Sequence, residues 1–151
     1  MADPKLLLIL KEIETRLEVI NGISPYFSRI GNDVQRGRRV WNPDDLPACS
    51  VFLTSRGLDQ AIYDRSAMAA TVTIEGRMAL TREQVPEDWG VYMLADIQTA
   101  IETTDRNLSG KLIKTIAWES DSIAYPDSDV SAIAAQVVYS IPHIRPYGDP
   151  Y

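Results

Sequence analysis

Apolar residues recur at two different periods along this chain, and the change of period separates helices from strands. Leu6, Leu10, Ile13, Leu17 and Ile20 recur at spacings of three and four, a single stripe on a helix. Asp3 is a suitable cap for its start, Pro4 fits the first helical position, and Asn21-Gly22 supplies a stop. From Met68 the period drops to two. Met68, Ala70, Val72, Ile74, Gly76 and Met78 share one face, and Thr71, Thr73, Glu75 and Arg77 share the other. That alternation predicts a half-exposed antiparallel strand. Thr81 to Asp88 leads into a second helix, with Pro86 at its first position and Glu87-Asp88 near its positive end. Its stripe runs through Tyr92, Met93, Leu94, Ile97, Ala100 and Ile101.

The remaining segments read as strands and connections. Tyr26 to Ile30 and Val34 to Trp41 predict two short strands, and Leu46 to Thr54 a better one ended by Arg56-Gly57. Leu58 to Tyr63 fits more than one state. Leu112 to Glu119 predicts a strand, Asp121 to Asp129 a polar loop, and Ser131 to Ile141 a last strand that is apolar on both sides. The segment PHIRPYGDPY carries three prolines and predicts an extended arm over 142–151. Strands clustered before a helix, rather than strict alternation, predict an α+β fold. It has a mostly antiparallel sheet, two helices packed on one face and an extended C-terminal arm. With 151 residues, one domain spanning 1–151 is the natural size.

Charge narrows the function classes. A formal net charge of -6 argues against a surface that binds nucleic acid throughout. The exception is local: Arg36, Arg38 and Arg39 surround Gly37, with Trp41 as an apolar anchor, between two predicted strands. An exposed loop of this kind suits contact with another macromolecule; the alternative is a solvated hairpin. The apolar patch at Leu6 to Leu10 is too short to span a bilayer and is followed at once by Lys11 and Glu12, so no membrane partner is expected.

Chemistry is sparse. Cys49 is the only cysteine and His143 the only histidine. Cys49 reads as a small buried apolar residue, and nothing in the spacing brings the two together as a nucleophilic pair. Asp121, Asp127 and Asp129 lack the glycine and terminal glutamate of a calcium loop. Gly31 and Gly37 are too far apart for a phosphate-binding loop. The expectation is a protein without cofactor, metal site or catalytic residues.

A set of segments carries a family resemblance. The N-terminal amphipathic helix, YFSRIGNDVQRGR, LPACSVFL, SAMAATVTIEG, the second helix and QVVYSIPHIRPYGDP together resemble the tail-terminator (tail-completion) proteins of long-tailed bacteriophages. The resemblance covers nearly the whole chain in element order and length. It implies a structural virion protein, a small α+β subunit that forms a hexameric ring. Such a ring caps the tail tube, ends its polymerisation and presents a surface for head-completion or neck proteins, with DNA passing through its channel. It implies no catalytic residues. The implied setting is the virion tail or neck, after assembly in the host cytoplasm. Other head–tail connector components, a small ligand-binding domain and an enzyme of unrecognised type are the rival classes. On the terminator reading, the interface residues are Arg36, Arg38, Arg39 and Trp41 of the basic loop with Tyr147 and Tyr151 of the arm. The loop meets either a neighbouring protein or the DNA channel; the protein contact is favoured, since fixed cations lining a channel would grip passing DNA.

Overall fold

The computed structural model describes residues 3–37, 42–103, 105–108, 110, 115–125 and 131–148. Helix α1 spans Lys5–Leu17, strand β1 Val34–Arg36, β2 Ala48–Ile62, β3 Arg65–Ala79, helix α2 Pro86–Glu102, β4 Ala117–Ala124 and β5 Ala132–Pro146. The five strands form one sheet in the order β1-β2-β3-β5-β4. Every pairing is antiparallel except β1 with β2. Both helices pack on one face, where Ile9, Ile13 and Leu17 of α1 and Met93, Ile97 and Ile101 of α2 join Val72, Ile74, Val137 and Tyr139 in one apolar core. The α+β class and the shared helical face are therefore as the sequence pattern indicates.

Helix α1 starts and stops differently from the expectation. Pro4, not Asp3, is the residue at its cap and makes no side-chain cap bond. Asp3 instead pairs with Lys11, about two helical turns further along. The helix ends at Leu17 with Glu18 as its cap, before Asn21-Gly22. The chain then turns back under the core. Ile30–Asn32 is a short 3-10 turn rather than the end of a strand, and β1 is only three residues long. Gly31 fixes this return: its N–H donates to Ile20 O at 2.9 Å. A Cβ placed there would lie 2.4 Å from Leu17 O and 2.6 Å from Ile20 O, so only glycine permits the approach.

Two expectations about strand length fail for a shared reason. Arg56-Gly57 does not end β2, and Leu58 to Tyr63, which reads ambiguously, continues it as far as Ile62. Pairing with β3 carries β2 through both bulges, between Leu53 and Ser55 and between Leu58 and Gln60. Likewise β5 does not stop at Ile141. It runs to Pro146, opposite Arg65 of β3, so 142–146 is strand and not a free arm. Prolines are tolerated because β4 pairs only as far as Ser140, leaving β5 an edge beyond it. On the far edge, β4 begins at Ala117 and includes Asp121 to Ala124, which the sequence pattern assigns to a loop. A bulge at Glu119 and exposure of nearly every residue mask its alternation.

Replacing Gly31 with alanine should force the Leu17–Ile20 backbone away and destabilise the fold by about 2 kcal/mol or more. A urea midpoint equal to that of the wild type would contradict the close approach.

Candidate interaction surface

Strand β1 places Arg36 at the edge of the sheet, opposite Val51. Its Nε donates to Glu14 Oε2 of α1 at 2.7 Å, so this arginine is engaged within its own chain. The neighbouring Gly37 has φ +94 and donates to Val51 O at 2.7 Å, which makes the sharp turn the sequence places there. An open groove of about 520 Å³ lies beside them, lined by Leu10, Val51, Phe52, Leu53 and Thr54. Arg38, Arg39 and Trp41 lie outside the described residues, as does Tyr151.

Tyr147 sits elsewhere. Its N–H donates to Asp64 O at 3.3 Å, against the turn that joins β2 to β3, and its side chain is exposed. Arg36 stands level with Ile74 of β3, whereas Tyr147 lies just past Arg65, so about 30 Å of strand separates them. The structure does not bring the loop and the tyrosine to one site. It ties Tyr147 to the turn that also carries Tyr63, which is 100% exposed, with Leu58 exposed further along β2. Sequence reading passed over Tyr63 and Leu58 because their segment has no clean period.

A second concave site, about 230 Å³, lies at the other end of the sheet between Phe27, Arg29, Leu46, Pro47, Met78 and Trp89. Its wall is held from below. Asp96 of α2 is buried and accepts from Phe27 N (2.9 Å), Ser28 N (2.7 Å) and Ser28 Oγ (2.6 Å). Phe27 stacks on Tyr92 with ring centroids 4.5 Å apart, and Trp89 meets the same ring edge-on at 5.4 Å. Three charge-assisted bonds on one carboxylate and two ring contacts fix this segment without regular structure.

Among the described residues, the open face of the sheet carries one buried acid. Glu75 is 5% exposed and accepts from Gln136 Nε2 of the adjacent strand and from Arg77 Nε, both at 2.5 Å. Cys49 is wholly buried on the helical side, and burial, with Glu75 nearby, pushes its thiol far above the ordinary range. It stands opposite Gly76, while His143 stands opposite Met68, about 26 Å along β3. A Cys–His pair is thus excluded by the register. Asp121 lies in β4 and accepts from Gln98 Nε2 at 3.1 Å; Asp127 and Asp129 fall outside the described residues. Among the described residues, no helix is long and apolar enough to cross a membrane.

His143 is the one buried imidazole of the chain. It lies on the helical side of β5, 1% exposed, with Nδ1 3.1 Å from Ile141 O. Burial lowers its pKa below the ordinary value; the Ile141 contact raises it, and the charges of Arg56 and Lys5 lower it further. No family model matches the chain, and no curated protein matches it.

The unfolded chain protonates its one histidine near pH 6.5, whereas the fold resists protonation until lower pH. Stability should therefore be full above about pH 6.5 and fall as pH drops through the window beneath it. Urea midpoints measured from pH 8 to pH 5.5 test this, since no other histidine titrates there. A flat profile would contradict the buried neutral ring.

Proposed function

We propose that this chain is a structural subunit of a long-tailed phage particle, a tail terminator that assembles into a ring, on the reading sixfold. The ring caps the tail tube, ends its growth and offers the surface on which head-completion or neck proteins join, with DNA as cargo in its channel. It works by assembly and not by catalysis, in the virion after formation in the host cytoplasm. The observation that supports this reading is the dissimilarity of the two sides of the sheet. On one side β2 exposes Leu53, Leu58 and the Tyr63 turn; on the other, β4 exposes Trp118, Glu119 and Asp121. A head-to-tail interface that closes into a ring needs two different patches on one subunit.

Both sides are blunted against simple strand addition. Strands β2 and β4 carry bulges, and β5 carries Pro142 and Pro146 where it becomes an edge. Subunits on this reading meet through side chains, with Tyr63 and Tyr147 as rigid anchors. The basic loop adds a repeated positive collar, supplied by Arg38 and Arg39 because Arg36 is engaged by Glu14. A ligand-binding domain is the second reading, and the aromatic-walled cavity at Trp89 is the feature in its favour.

Mass measurement over a range of concentrations, alone and with isolated tail tubes, is the test. A ring, formed alone or only on the tube, is expected. Changing Arg38 and Arg39 together to Glu should leave the fold intact and weaken attachment, most clearly at low salt. A protein that stays monomeric and never binds tubes would rule the reading out.

A further inference from the structure

The helical side of the sheet ends in two unlike edges at one level. Leu53 of β2, Val72 of β3, Tyr139 of β5 and Trp118 of β4 are cross-strand partners in a single row. Val72 and Tyr139 are wholly buried in the core, whereas Leu53 and Trp118, at the two ends, are 39% and 50% exposed. Cross-strand partners share a face, so both ends project from the helical side. Each stands where its strand bulges, between Leu53 and Ser55 on one edge and between Trp118 and Ser120 on the other.

The charges beside the two ends are opposite. Arg56 follows the β2 bulge, is exposed, and stands opposite the core residue Ala70, which puts it on the helical side as well. Asp59 is the one acid of the exposed β2 stretch, about 10 Å further toward the turn. Glu119 fills the β4 bulge and is exposed; Asp121 is exposed opposite the core residue Val137, and β4 carries no cation. Two buried side chains register these charges. Burial lowers the pKa of His143, and Arg56 and Lys5 lower it further against a contact with Ile141 O that raises it. Burial raises that of Tyr139, and Glu102 and Asp121 raise it further. Among the described residues, neither Arg56 nor Glu119 has an ion-pair partner.

We propose that the β4 edge of one copy of this chain packs on the β2 edge of the next, with Trp118 against Leu53 and Glu119 toward Arg56. The inference rests on the assembly reading above and names the residues through which successive subunits meet. A second copy is the partner that fits, because the acidic edge with its aromatic residue and the basic edge with its aliphatic one complement each other. Both stand at the same level of one ladder, so copies that meet edge to edge take no step along the strands, as a closed ring requires. The bulges keep the two backbones from pairing and leave the contact to side chains. The apolar pair forms its centre, and the charged pair at the rim sets its direction, since two basic or two acidic edges repel.

Charge reversal tests the pairing, read by sedimentation of the full chain over a concentration series, with tail tubes present where the wild type needs them. Arg56→Glu and Glu119→Arg lie at exposed positions, so their circular dichroism spectra should match that of the wild type. Each alone should raise the concentration at which assembly begins about tenfold at low salt. An equimolar mixture of the two should assemble like the wild type, because each variant supplies the charge the other has lost. Trp118→Ala should weaken assembly by about the same factor. Single variants that assemble like the wild type, or a mixture that stays as weak as its components, would overturn this contact and leave the ring to another interface. A wild type that assembles neither alone nor on tubes would overturn the ring reading itself, and the contact with it.

Discussion

The length of the β2–β3–β5 ladder sets the terms for everything else. Each of these strands has 15 residues, so each rises about 50 Å. The two helices have 13 and 17 residues, about 20 and 26 Å. Neither helix can cover the sheet from end to end. The central strand is protected by its neighbours and stays buried from Ser66 to Gly76 except at Ala69 and Thr71. The shortfall lands on β2, exposed from Leu53 to Ala61, and on the turn at Tyr63. On an otherwise well-packed fold, the exposed Leu53, Leu58 and Tyr63 of this mixed-polarity projection are what a contact element would use.

The base of the sheet is built the opposite way, by short irregular segments held at specific points. Gly31 lets the chain pass against the end of α1, and the side chain of Ile30 occupies the space that a Cβ on Gly76 would need, at 2.7 Å. Asp96 then ties Phe27 and Ser28 to α2. These contacts hold the two helices and the β1 edge in one unit, from which the long strands project. Arg36 is exposed, as its sequence context suggests, and its surface ion pair with Glu14 links β1 to α1.

Both helices, the existence of β3 and the α+β class were legible because each rests on a period that survives single exceptions; the half-exposure expected of β3 was not, since neighbours on both sides and the pairing of Glu75 bury Thr73 and Glu75 as well. Pro86 and the acids after it marked the start of α2 correctly. What was not legible depends on partners distant in sequence. Leu58 to Ile62 has no period of its own and is a strand because Arg65 to Met68 pairs with it. Prolines at 142 and 146 argue locally against a strand, and only the early end of β4 makes room for them. Tyr26 to Ile30 carries strand-forming residues, yet the N–H groups of Phe27 and Ser28 go to a carboxylate from α2, 69 and 68 residues away in sequence, and that of Tyr26 goes to Ile23 O. Of the interaction residues, the glycine turn at Gly37 could be read from sequence; the internal pairing of Arg36 and the exposure of Tyr63 could not.

Amide hydrogen exchange tests most directly whether the projecting end of the ladder is the contact element. Exchange would be followed across 53–65 and 144–147 in dilute protein and in the assembled state. Slower exchange in these segments on assembly, with the core of α1 and α2 unchanged, is the expected result. Slowing confined to the helical base, with the β2–β3 turn as open as before, would contradict it.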